Sequence, residues 1–387
     1  MTKTNSGQTS IDKRELIIFI SFIFLLFVYL LLIRYSPNFL FINDNFFSKG
    51  IRIISDYFDR AFYSAYGEWT KLKYFPYNNQ EFSDLPPVAI YFFGLNWLFS
   101  QNLKEYMFIF SLSMMFVSSL AFIIFLKKLS GAGKSSWQII IWFTPISFYY
   151  YLNRFDMLPV FFFIASLDLI KNRKFTPGGM LYGCSILTKW FTAITFVCLL
   201  IYIYNNRKKK NDVLKFVSGI ILVIFSISVF TIITSGLKGF LLPYKNQIFR
   251  INFESLYYLL NLHQSKTDFF RYVFAFLQII PALILPFLKS SCDENKFNAM
   301  IAVIIINFII FCPVNSPQWF QWFFPFALLA LKMKKWIILF LIIQIITYLN
   351  FPVFFDIYGP YSNIFKYTVS AKIFSYIAIE GVLLLKI

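Results

Sequence analysis

Charge is scarce in this chain, and histidine almost absent. Asp, Glu, Lys and Arg make up 14% of its 387 residues, where a soluble domain carries about 25%. The one histidine, His263, sits in a polar segment and reads as a surface residue rather than a base. Four cysteines are present, with no metal or redox spacing, so zinc ribbons and dithiol frameworks are excluded. Cys184 and Cys198 lie in apolar runs, Cys312 ends one, and Cys292 is in a short polar loop; all read as packing residues. No Ser/His/Asp arrangement or nucleotide-binding glycine loop occurs. Gly131-Ala132-Gly133-Lys134-Ser135 lacks the full phosphate-loop spacing and is a loop. No metal or cofactor is expected, and the energy for any group transfer must arrive with a lipid-linked substrate.

Apolar residues dominate instead. The chain is 58% hydrophobic and 22% aromatic, with a mean hydropathy of +0.65. Runs at 16–33, 106–126, 213–234 and 272–288 approach the ~20 residues that cross a hydrocarbon core of about 30 Å. The expected fold is all-α and polytopic, a single membrane domain over 1–387 with about eleven to thirteen hydrophobic segments. The first run follows Asp12-Lys13-Arg14-Glu15 without a small-residue cleavage pattern, and reads as a retained signal anchor. The net charge of +18 invites a nucleic-acid partner. Yet the cations sit in short clusters between runs (Lys127-Lys128, 171–174, 207–210, 332–335), as the positive-inside rule and anionic headgroups require. Membrane lipids are the expected partner, and nucleic acid is not.

With the amino end inside, long outer loops fall at 34–86 and about 235–269. The run 319–331 then reads as a span, and a last helix at about 370–385 returns the carboxyl end inside. The middle admits two readings. If the segments 88–99, 106–126, 137–151 and 157–170 all span, the 171–174 cluster lies outside, against the rule. If 88–99 only dips, the clusters stay inside and 178–204 must break near Lys189.

The first outer loop holds six of the eighteen acids: Asp44, Asp56, Asp59, Glu68, Glu81 and Asp84. Connectors this long usually have a function. A carboxylate held against a bilayer suits deprotonation of a hydroxyl on a substrate whose other half is lipid. Further polar residues interrupt apolar runs. Arg154 and Asp156 flank Phe155 and either neutralise one another at a helix end or contact substrate. Lys189 lies within 27 mostly apolar residues. It is placed to meet a lipid-linked phosphate, with snorkelling as the bland alternative. Arg250 and Glu254 are spaced for a helical ion pair, unless Arg250 grips an anion. Ser316-Pro317-Gln318-Trp319 continues to Gln321-Trp322 and Pro325. A membrane-interface belt explains the Trp residues, but not two Gln three apart, which suit sugar hydroxyls.

In this order the stretches resemble the polyprenol-phosphate-sugar-dependent glycosyltransferases of the GT-C superfamily, most of all the DUF2029/GT87 mannosyltransferase group. Ser55-Asp56-Tyr57, Phe75-Pro76-Tyr77 and Glu81-Phe82-Ser83-Asp84-Leu85-Pro86-Pro87 fill the places of its Asp after the first helix, its Pro-Tyr stretch and its acid before Pro-Pro. Arg154-Phe155-Asp156 resembles its Gln-Phe-Asp turn, and Leu187-Thr188-Lys189 its Leu-Thr-Lys helix. The 250–255 stretch resembles its Arg…Glu-Ser element, and 316–325 its Ser-Pro-Gln-Tyr…Trp…Pro signature. Leu85 stands where the family has Tyr, and Asp59 competes with Asp56 for the catalytic place. The resemblance implies inverting transfer of a hexose, mannose in that group, to a lipid or glycan acceptor on the outer face of the cell membrane. The donor would be polyprenyl-phosphate-linked. Asp56 would be the base, or else Asp59. Glu81, Asp84, Arg154, Asp156, Lys189, Arg250, Glu254, Gln318 and Trp319 would bind substrate. The rival class is a flippase of lipid-linked sugars, which would more often show internal repeats and gating pairs spread along the helices.

Overall fold

The structure is a computed structural model that describes residues 13–35, 54–72, 77, 85–131, 136–262, 269–288, 293–331 and 335–387. Among the described residues there are helices and no strand. In chain order they are α1 (Lys13–Tyr35), α2 (Tyr57–Gly67), α3 (Trp69–Leu72), α4 (Pro87–Leu98), α5 (Leu103–Gly131) and α6 (Pro145–Asn153). Next come α7 (Met157–Lys171), α8 (Phe175–Thr188), α9 (Phe196–Arg207), α10 (Lys210–Phe249) and the single turn α11 (Leu256–Leu259). The rest are α12 (Phe269–Leu288), α13 (Glu294–Phe311), α14 (Phe320–Ala330), α15 (Lys335–Tyr348), α16 (Phe355–Tyr358) and α17 (Asn363–Leu384). Seven of the described helices are long and apolar enough to cross a membrane, and the chain is a multi-pass helical membrane protein.

Local chemistry sets several starts. Pro87 opens α4 and Pro145 opens α6 at first-turn positions whose N–H groups have no helical acceptor. The Thr144 hydroxyl accepts from the Ser147 N–H at the second of these, and Ser362 caps α17 in the same way. The last helix thus begins seven residues before the apolar run that announces it.

The ambiguous middle resolves. α4 has 12 residues, about 18 Å at 1.5 Å per residue, too short to cross. Lys189 is extended (φ −160°, ψ 123°) and divides 175–207 into α8, a 3-10 segment Trp190–Thr195 and α9. At one end of the bundle Glu294 lies 3.0 Å from Lys171 and 4.0 Å from Lys128. The charged clusters that contain Lys128, Lys171 and Glu294 therefore share a side. These observations fit the reading in which 88–99 does not cross and 178–204 breaks.

Three expectations change. The 319–331 run does not span: α14 has 11 residues, all buried. A helix apolar all round belongs inside a bundle; the 3-10 turn Pro317–Trp319 precedes this one, and Pro325 lies within it. The 137–151 run is a 3-10 segment Ser136–Phe143 followed by α6. Finally, much of the expected outer loop 235–269 is helical. α10 continues to Phe249 past a break at Gly236, whose φ of +68° is a conformation glycine adopts without penalty. This carries Gln247 and Arg250 toward the site.

α13 buries 72% of its apolar window, whereas α1, α10 and α12 leave most of theirs outward, as lipid-facing helices do. α8 and α10 pack closely. A Cβ on Gly179 would sit 2.0 Å from the Phe216 carbonyl oxygen, and one on Gly219 2.1 Å from that of Thr176. Gly179→Ala is therefore expected to lower stability by about 1–3 kcal/mol, measured by thermal unfolding in detergent. Gly381→Ala meets nothing within 4 Å and should be neutral or mildly stabilising.

Candidate functional site

The site begins where α6 ends. Asn153 accepts the Asp56 N–H on Oδ1 at 3.0 Å and donates its amide to the carbonyls of Tyr149 (2.9 Å) and Ile54 (3.4 Å). This ties the 54–56 strip to α6. Asp56, fully buried, then caps α2: its Oδ1 accepts from the Asp59 N–H at 3.3 Å. Its Oδ2 takes a 2.5 Å bond from Arg154, whose other terminal nitrogen meets Asp59 Oδ2. One guanidinium straddles both carboxylates. Its face lies 5.0 Å from the Phe351 ring centroid, a cation–π distance.

Beneath them Arg60 donates to the Asp56 carbonyl (3.3 Å), the Ser111 hydroxyl (3.2 Å), the Met107 carbonyl (3.4 Å) and the Ser55 hydroxyl. Burial pushes its pKa down to about 10, with Asp56 opposing the fall; it stays charged at neutral pH.

Asp156, also fully buried, accepts Lys189 Nζ at 2.6 Å and the Trp322 indole N–H at 2.8 Å on one oxygen. Arg154 and Asp156 thus do not neutralise one another, as their spacing allowed. The backbone is extended at Arg154 (φ −128°, ψ 148°) and sends the two side chains to different partners. Lys189 Nζ lies 4.6 Å from the Phe155 ring centroid and 5.1 Å from that of Trp322. Trp322 is sandwiched by Phe191 (centroids 3.8 Å) and Trp319 (4.3 Å). A lysine so held points at an internal carboxylate, with 16% of its side chain still exposed.

Some of these groups border a cavity of about 180 Å³. Asp59, Arg154, Lys189 and Arg250 line it, together with the indoles of Trp190, Trp319 and Trp322. Leu85, Pro86, Phe308 and Val314 supply an apolar wall. Gln318 also lines the cavity, and its Oε1, with the indole N–H groups of Trp190 and Trp319, is buried without a hydrogen-bond partner among the described residues. Buried polar atoms are seldom left unpaired, which sets these three apart beside the cavity.

Two residues expected to bind substrate face elsewhere. Asp156 does not line the cavity but holds Lys189 there. Glu254 does not line it either: its carboxylate takes Lys372 Nζ at 2.5 Å. Residues 250–255 are not helical, so the i, i+4 pairing of Arg250 with Glu254 lacks the geometry it needs. Of the two glutamines, only Gln318 lines the cavity; both amide atoms of Gln321 are buried away from it. Glu81, Asp84, His263 and Cys292 lie outside the described residues, as does most of the 34–53 stretch.

Sequence reasoning misses Arg60 and Lys372, and meets Asn153 beside Arg154 without giving it a role. Lys372 carries the same signal as Lys189, a cation inside an apolar run. Arg60 gives none, since loop arginines are commonplace. No protein-family model matches the chain, and no curated protein matches it in sequence.

Proposed function

We propose that the chain is an integral membrane glycosyltransferase that moves a hexose, mannose by family resemblance, from a polyprenyl phosphate to an acceptor hydroxyl on the outer membrane face. The observation that carries this reading is one small cavity lined by a carboxylate, cations and indole faces, within a chain that is otherwise apolar. Indole faces suit a pyranose ring, cations a phosphate, and the Leu85–Pro86 side an isoprenoid.

In the step proposed, the acceptor oxygen attacks the anomeric carbon as Asp59 takes its proton. The bond from that carbon to the phosphate oxygen breaks, and the lipid phosphate leaves with the bonding electrons. Hydroxyls ionise far above neutral pH, so a positioned base contributes about 10²- to 10⁴-fold. Arg250 and Lys189 meet the charge that develops on the leaving phosphate. Asp59 is favoured over Asp56 because it lines the cavity, whereas both Asp56 oxygens are engaged by protein groups.

The test is transfer of radiolabelled mannose from polyprenyl phosphate to a panel of glycolipid acceptors by purified protein. Turnover supports the enzyme. Movement of donor across a vesicle membrane without turnover would favour the flippase. Because Lys189 and Arg250 serve the phosphate, activity is expected to persist in excess EDTA. Strict dependence on added Mg²⁺ or Mn²⁺ would overturn that part and recast the loop carboxylates as ligands.

A further inference from the structure

We infer that Lys372, on α17 and outside the cavity, is a positioning residue that sets one wall of the site; the inference rests on the reading above for its kinetic consequence alone. Lys372 is fully buried. Its ammonium donates to Glu254 Oε2 at 2.5 Å and to Asn350 Oδ1 at 3.3 Å. Asn350 in turn donates to the Thr368 hydroxyl, one turn earlier on α17, at 3.2 Å. A lysine in an apolar helix is costly to bury without such partners, and both of these are supplied by segments that precede α17.

What Glu254 is attached to gives the pair its meaning. The stretch between the end of α10 and the single turn α11 lacks regular structure, so contacts from outside must fix it. Asn252 Oδ1 accepts two backbone N–H groups, that of Glu254 at 3.2 Å and that of Asn315 at 3.0 Å. The Asn252 amide donates to the Asn315 carbonyl, and its N–H to the Pro313 carbonyl at 3.2 Å. Asn252 therefore clamps two loops together. One begins with Arg250; the other continues into Ser316, Gln318 and Trp319, all of which line the cavity. Lys372 and Glu254 anchor this double loop to α17. The ion pair touches no part of the cavity, yet the loops it anchors bear the cation and the amide wall.

The decisive variant is the double Lys372→Gln/Glu254→Gln. It removes both charges and leaves no unpaired ion, so it should fold where Lys372→Met alone need not. Hydrogen–deuterium exchange is expected to rise about tenfold or more in 250–255 and 313–319, with α8 and α10 unchanged. In the transfer assay donor KM should rise about tenfold with acceptor KM unaltered, while the conservative Lys372→Arg should stay close to the wild-type value. Exchange that stays at the wild-type level in both loops would overturn the inference, as would a uniform rise through the whole bundle. If the wild-type protein transfers no sugar, the functional reading fails, while the exchange measurement still decides whether Lys372 sets these loops.

Discussion

Asp59→Asn is expected to lower turnover by about 100-fold or more in a protein that folds normally, and Asp56→Asn by much less. The two acids are three residues apart and share one guanidinium, so sequence position separates them poorly. Access separates them well. Asp56 is fully buried, with one oxygen on the Asp59 N–H and the other on Arg154. An acceptor hydroxyl reaches it only by displacing the α2 cap or Arg154. Asp59 retains 19% side-chain exposure and borders the cavity. Because two carboxylates share Arg154, Asp59 can take up a proton while Asp56 keeps the guanidinium paired. Asn is a good helix cap, so Asp56→Asn should preserve α2 and lose mainly the charge facing Arg154. The check is single-turnover kinetics on both variants, with thermal unfolding in detergent beside it. Full activity in Asp59→Asn with loss in Asp56→Asn would return the base to Asp56; activity in both would end the case for this loop.

How far the sequence reaches depends on what kind of signal each feature leaves. The helical membrane fold is readable because lipid demands long apolar runs, and α1, α5, α10 and α12 supply them. Interior helices escape that demand. α14 is buried by protein, so its length follows its packing rather than the bilayer, and run-counting mistakes it for a span. The break at Lys189 is one of two options until Glu294 joins Lys128 and Lys171 at one end. At the site, Lys189, Arg250, Asp59, Gln318 and Trp319 announce themselves as polar or aromatic residues in unusual places, and the fold brings them to one cavity. Their pairings do not announce themselves. Arg154 could answer Asp156 by spacing alone, and Arg250 could answer Glu254. Long-range packing gives those carboxylates different partners, Lys189 and Lys372, across separations that no local pattern encodes.

That exchange of charge partners shapes the second large effect. Lys189→Gln is expected to destabilise the protein by about 3–5 kcal/mol, since it leaves the fully buried Asp156 without its counter-ion. Lost activity in that variant alone would therefore say little about phosphate binding. Lys189→Gln/Asp156→Asn resolves the matter. With both charges gone, the amide oxygen introduced at position 156 can still accept the Trp322 indole N–H, and stability should recover most of the loss. Donor kinetics should not recover. If Lys189 meets the leaving phosphate, the double variant keeps a low turnover, and its donor KM rises by an order of magnitude or so while acceptor KM holds. Arg250→Gln should act in the same direction without the stability cost, because Arg250 is exposed, and Arg250→Lys should be a partial defect for want of the two-pronged grip. A double variant that is both stable and fully active would reduce Lys189 to the internal counter-ion of Asp156.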